Sequence, residues 1–234
     1  MPARTVDELQ DRLDEALAWR RIELSALKGL IESNESMPNN PPVSRSLRRA
    51  GVAMLYAHWE GFGKECLQSY VDFISRRRLK LQEFNDELLR VCLMHTVRRA
   101  DSGDLSAKGE LVELVRRRGE LRLPFPKSQM VDTQGNLRSH VLTNMLKDFG
   151  LQSIDFELRE NLIDRRLCDT RNSVAHGRET CPEVGEFSEL HAEVLEMMEY
   201  LRDLVLGAAR AGTYRSAAAA SADELTSVHD QNSS

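Results

Sequence analysis

The sequence predicts an all-α fold built on long amphipathic helices. Leucines and aromatics recur three or four positions apart through most of the chain, the period of one buried helix face, and no convincing alternation of apolar and polar residues marks a strand. Glycine and proline are sparse, at 13 and 7 of 234 residues, so few points interrupt a helix. Aromatic residues make up 6% and charged residues 29%, a balance that suits helices with one solvated face better than it suits sheets.

Thr5 and Glu8 stand as a capping box, and Leu9, Leu13, Leu17, Leu24, Leu27 and Ile31 follow at helical spacing, which predicts a first helix over 6–32. The Asn-, Ser- and Pro-rich segment 33–42 reads as a loop. A second long helix spans 44–78, its apolar stripe running through Leu47, Gly51, Leu55, Trp59, Phe62, Cys66, Tyr70 and Phe73. Gly51, Gly61 and Gly63 each weaken that helix by roughly 1 kcal/mol relative to alanine, and their presence predicts close helix packing there. Residues 83–100 form a third helix ended by Asp101-Ser102-Gly103-Asp104. A shorter fourth, 107–118, finishes in three arginines, which suit a helix C-terminus. Pro124, Pro126 and Gly135 make 121–136 irregular, with a short extended piece at 122–125. A helix over 137–149 stops at Gly150, another spans 155–176, and the last covers 184–211. From residue 213 onward alanine, serine and polar residues predominate, and a disordered tail is expected. The resulting organisation is an N-terminal helix and linker at 1–42 packing on the bundle, a helical domain at 43–211 and a tail at 212–234.

A net charge of −5 and a pI of about 5.8 exclude a generally basic nucleic-acid coat, so any nucleic-acid contact must come from a local patch. Cys66, Cys92, Cys168 and Cys181 lie far apart, with no CxxC and no alternation with histidine at zinc-ligand spacing. They read as reduced cysteines of a cytosolic, cytoplasmic protein and imply no metal and no cofactor. The N-terminus leads directly into a charged helix and no apolar run approaches membrane-spanning length, so neither a signal peptide nor a transmembrane segment is expected. The phosphate loop, nucleophile elbow, zinc-protease helix and dinucleotide glycine fingerprint are missing.

The chemistry concentrates in Asp169-Thr170-Arg171-Asn172-Ser173-Val174-Ala175-His176-Gly177-Arg178. An arginine is a permanently charged fork that grips phosphate oxygens in pairs, and an imidazole changes protonation near neutral pH. Gly177 predicts a left-handed close to the helix, leaving His176 on the last turn, where the dipole favours its protonated form. The bare spacing recurs at Arg90 and His95, but an apolar run fills that gap and the helix there is expected to face the core. These residue types suit RNA cleavage without a metal: His176 takes the proton of a ribose 2′-OH and Arg171 stabilises the charge building on the attacked phosphate. DNA, lacking that hydroxyl, should resist. Asn172 lies four positions before His176 on one helix face and positions the phosphate or the imidazole. Arg171 is five positions from His176, which on a regular helix turns it roughly 140° away. Either the helix breaks within 171–175, or the two side chains meet on one phosphate with the help of a second subunit. The plainer alternative pairs Arg171 with Asp169, Asp164 or Glu160 and leaves His176 as a helix cap.

Tyr56, Glu60 and Lys64 share a face of the second helix. Glu60 orients a histidine or tunes its pKa, or else forms a surface pair with Lys64. His58, beside the apolar stripe, reads as a satisfied, half-buried histidine. The clusters Arg76-Arg77-Arg78-Lys80, Arg98-Arg99, Arg116-Arg117-Arg118 and Arg165-Arg166 make a phosphate-tracking surface only if they converge on one side.

Residues Arg171 to Gly177 resemble the Arg-x4-6-His signature of the HEPN superfamily, including the polar residue after its arginine. The stretch Leu55-Tyr56-Ala57-His58-Trp59-Glu60-Gly61-Phe62 is similar to the second-helix pattern of its MAE-type HEPN-like nucleases, in which an hWEgf helix precedes an RNxxAHG helix at a comparable remove. The resemblance covers about 43–206. It implies a HEPN-like helical bundle with long antiparallel helices that forms a homodimer, so that paired motifs build one composite RNase site. Members act on RNA as metal-independent endoribonucleases, often as toxins or in phage defence, and an antitoxin or regulatory protein is the partner such a role implies. By residue, Arg171 and His176 would be catalytic, with Asn172 and Glu60 supporting. Some HEPN proteins are instead non-catalytic modules that bind nucleotide, RNA or protein.

Overall fold

Thr5 accepts a hydrogen bond from the Glu8 backbone N–H at 3.1 Å, and the Glu8 carboxylate reaches back to the N–H of Arg4. That exchange opens α1 (Val6–Ser36) in a computed structural model that describes residues 3–36, 41–117, 120–122, 125, 130–152 and 154–219. The helix runs four residues further than 32, and α2 (Pro41–Ser75) begins on a proline, whose fixed φ suits a first helical turn. The expected loop 33–42 therefore shrinks to 37–40, which lie outside the described residues. A single 3₁₀ turn (Leu81–Glu83) leads into α3 (Asp86–Asp101), capped by the Asn85 side chain accepting from Leu88 N–H. Then come α4 (Leu105–Arg117), α5 (Ser139–Asp148), α6 (Ile154–Leu158), a π-helical segment (Asn161–Asp169), α7 (Thr170–Ala175) and α8 (Glu186–Ala211).

The fold is all-α, and among the described residues no strand forms; one isolated bridge joins Phe84 to Arg215. No helix among them is long and apolar enough to cross a membrane. Side-chain pairs give the helix directions. Arg20 meets Glu65, His58 meets Glu23 and Arg48 meets Glu35, so α1 and α2 are antiparallel. Asp14 meets Arg202 and Ser188 meets Glu32, so α1 is antiparallel to α8 as well. Gly51 packs on Phe187 and Gly63 near Leu201, which makes α2 and α8 parallel. These three helices enclose the core, with Leu9, Leu13, Trp59, Phe62, Tyr70, Val194 and Leu201 all buried.

Close packing at the α2 glycines occurs at two of the three. A Cβ on Gly51 would stand 2.7 Å from both Ile31 and the Phe187 ring, and one on Gly63 would stand 2.5 Å from Leu137. At Gly61 it would meet only Arg20, at 3.5 Å. Gly51→Val is expected to destabilise the fold by about 1–3 kcal/mol through overpacking, whereas Gly61→Ala is expected to stabilise it by up to about 1 kcal/mol. Urea denaturation midpoints of the two variants should move in opposite directions; a shared direction would refute the packing assignment.

The tail starts later than residue 212. Tyr214 is buried with its ring edge-on to Phe73, Asn85 N–H donates to Tyr214 C=O, and Ser216 N–H donates to Glu83 C=O. One aromatic in an otherwise polar segment is enough to hold it down. The rest of the expected tail, 220–234, lies outside the described residues, as does part of the extended piece expected at 122–125.

Candidate functional site

The helix expected over 155–176 is in fact three pieces: α6, the π-helical segment and α7. The cause is the apolar spacing. Leu162 with Leu167, and Ile163 with Cys168, are buried pairs five positions apart. On an α-helix such pairs diverge by roughly 140°, whereas i→i+5 winding brings both onto one inward face. Regular α geometry returns at Thr170 and lasts to Ala175, so the helix does not break between Arg171 and Ala175.

Gly177, at φ +70°, closes α7. Its N–H donates to Val174 C=O and that of Arg178 to Ser173 C=O, the pair of bonds that defines a left-handed helix stop. His176 is the cap residue, exposed, and among the described residues its imidazole makes no hydrogen bond or ion pair. It is free to meet a ligand.

Among the described residues, Arg171 is held without a carboxylate. Its Nη1 donates to Asn172 Oδ1 at 2.8 Å and to Asn136 Oδ1 at 3.2 Å, and its guanidinium lies 4.3 Å over the Tyr56 ring. The acids that the plainer alternative offered it are engaged elsewhere or simply do not reach it. Asp169 accepts from Arg138 at 2.6 Å, and Asp164 accepts from the backbone N–H and hydroxyl of Ser139, each at 2.8 Å. A guanidinium fixed on one nitrogen by neutral oxygens and stacked on a ring keeps its full charge and its remaining donors for an anion.

Glu60 lies close enough to Tyr56, the ring under this arginine, to influence its hydroxyl, and it makes no ion pair with Lys64. The Tyr56 hydroxyl accepts from Leu137 N–H at 3.0 Å and feels the charge of the nearby Glu60 carboxylate. Burial first, and the Glu60 charge after it, push that hydroxyl well above its ordinary pKa, so it stays neutral. Leu137 also receives the Trp59 indole N–H on its C=O at 3.4 Å, which anchors the loop that presents Asn136. The site thus joins Arg171, Asn172, Tyr56, Asn136 and Glu60. His176 stands apart from them, five positions along a regular helix from Arg171 and so turned roughly 140° from it. Asn172 shares the face of His176 but bonds Arg171.

Three arginines near the start of α2 hold the segment after His176, and sequence reading missed them. Arg49 Nη1 donates to the C=O of Arg178 at 2.6 Å and of Thr180 at 2.7 Å. Arg48 Nε donates to Pro182 C=O, and Arg45 binds both the C=O and the carboxylate of Glu179. Their signal was the spacing 45, 48, 49 on one helix side.

Several arginines of the basic clusters are engaged locally. Arg77 stacks on Phe73, Arg99 pairs with Asp104 and Glu110, Arg116 and Arg117 with Glu113, and Arg166 with Glu193. Arg99, Arg116, Arg117 and Arg166 thus have carboxylate partners on their own or an adjoining helix. His58 is buried, bonded through Nε2 to Glu23 at 2.9 Å and set against Trp19, and burial lowers its pKa. Burial pushes the Cys92 and Cys168 thiols up to about 12, which makes them inert. The helix with the second Arg-x4-His spacing faces the core as expected, but through other residues. Arg90 is exposed and pairs with Asp148, and with His95 it lines a surface cleft, because Leu88 and Cys92 supply the buried side of α3.

Compared with known families, residues 15–207, most of the chain, match the family model described as RiboL-PSP-HEPN. No curated protein and no solved structure matches the chain.

Proposed function

The chain belongs to the RiboL-PSP-HEPN family, and from that premise we propose that it is a metal-independent endoribonuclease, acting as a toxin or phage-defence effector. The observation that carries this reading is Arg171, the cation of the motif, which among the described residues has no carboxylate to neutralise it and has amide oxygens and a tyrosine ring to aim it. His176 takes the proton of the ribose 2′-OH. The freed oxygen attacks the adjacent phosphorus while Arg171 stabilises the phosphoryl oxygens. The bond to the 5′-oxygen breaks, and that oxygen leaves with a proton from solvent or from a second copy of the motif. A 2′,3′-cyclic phosphate and a 5′-hydroxyl result.

The divergence of Arg171 and His176 on a regular α7 supports a homodimer, in which Arg171 of one copy and His176 of the other converge on one phosphate. An antitoxin or other regulatory protein would then hold the activity in check.

The test is incubation of the purified protein with end-labelled single-stranded RNA in EDTA, followed by analysis of the product ends. Cyclic-phosphate ends, and protection of any step carrying a 2′-deoxy sugar, are expected. RNA that binds and stays intact would replace this reading with a non-catalytic module using the same groove.

A further inference from the structure

The α2 helix runs beside α7 with two anchor points. Tyr56 lies under Arg171 near the start of α7, and Arg49 holds the backbone just past its end. These two α2 residues are seven positions apart, hence on one face and roughly 10 Å apart along the axis at 1.5 Å per residue. His176, the cap of α7, comes two positions before the Arg178 carbonyl that Arg49 holds.

The charges along this seam are not equally available. Arg45 is taken by Glu179 and Arg48 by Glu35. Among the described residues, Arg49 bonds only carbonyl oxygens, and through Nη1 alone. The Arg178 side chain is exposed and makes no bond among the described residues. Two guanidinium groups thus belong to the segment just after His176, one by holding its backbone and one by sequence, and among the described residues neither has a carboxylate partner. At the other end of the seam Glu60 sits behind Tyr56 and repels a polyanion.

We propose that Arg49 and Arg178 form a second phosphate subsite, adjoining the one at Arg171, which grips the RNA backbone beside the scissile step and leads the strand toward the N-terminal end of α2. The subsite rests on the endoribonuclease reading for its ligand. Its chemistry, a fixed guanidinium with free N–H donors beside a mobile one, is that of phosphodiester recognition.

Cleavage kinetics separate this role from simple loop support. A dinucleotide carrying the preferred step has only the scissile phosphate, and trinucleotides add one phosphate on the 5′ or the 3′ side. Arg49→Gln and Arg178→Gln are each expected to reduce kcat/KM for one of the trinucleotides about tenfold more than for the dinucleotide, through KM. Equal losses on both substrates would make Arg49 a loop support only, and no wild-type gain from either added phosphate would remove the subsite. Binding of a short fluorescent single-stranded RNA to the His176→Ala protein supplies a readout that needs no turnover. There each variant should reduce the salt slope of the binding constant by about 1; unchanged slopes in both would overturn the subsite even if the wild type never cleaves. Failure of wild type to cleave any substrate, with slopes reduced as expected, would instead count against the nuclease reading alone.

Discussion

His176→Ala is expected to lower RNA cleavage by about 10²–10⁴-fold, the range a positioned acid–base group supplies, with little change in thermal stability. The second half follows from the environment of the side chain. It is exposed, bonds nothing among the described residues and caps a helix already closed by Gly177, so its removal leaves no buried partner unsatisfied. Single-turnover cleavage in EDTA and a melting curve on the same preparation check both. Arg171→Ala should lose comparable activity, about 10²–10³-fold as for other transition-state donors, but with some loss of stability, because Asn136 and Asn172 lose a shared donor. Wild-type rates in both variants would remove the motif from the chemistry.

Trp59→Ala is expected to cost about 3–5 kcal/mol of stability, the range for truncating a buried aromatic. The indole is fully buried in α2, packs against Phe156 and donates to Leu137 C=O. For a domain of this size the melting temperature should fall by roughly 2–4 °C per kcal/mol. A second consequence is specific to this protein. Leu137 is the next residue after Asn136 and also donates to Tyr56, so loosening it disturbs two of the groups that aim Arg171. Trp59→Phe should recover most of the stability. A Trp59→Ala protein that melts like the wild type would show that the α2 face is not the core.

Much of the fold was legible because helices advertise a period. The stripe from Leu47 to Phe73 faces the core, and the helix order holds with shifts of a few residues at the ends. The HEPN membership that Arg171 to Gly177 pointed to is borne out by the family match. The π-helical winding was not legible, since buried pairs five positions apart look, in a linear sequence, like an imperfect α-helical stripe. Glu60 was picked as supporting and shares a helix face with Tyr56, but the stacking of Arg171 on the Tyr56 ring is a tertiary contact that no spacing rule encodes. Asn136 was invisible for a different reason. It sits in an irregular loop 35 positions before Arg171, and only tertiary packing brings the two together. Arg90 and His95 show the converse, a matching spacing on a helix whose surroundings give the arginine a carboxylate partner.

The antiparallel placement of α1 against both α2 and α8 also bears on how the protein is made. Leu9, Leu13 and Leu24 of α1 belong to the same core as Val194, Met197 and Leu201 of α8, so that core cannot close until α8 has left the ribosome. Contacts between such distant parts of the chain form late and slowly. The motif at 171–176 is synthesised before α8, but the α1–α2–α8 packing that steadies its neighbours on α2 is still missing. On the endoribonuclease reading proposed above, cleavage would be withheld from the messenger and ribosome producing the protein until α8 had joined the core.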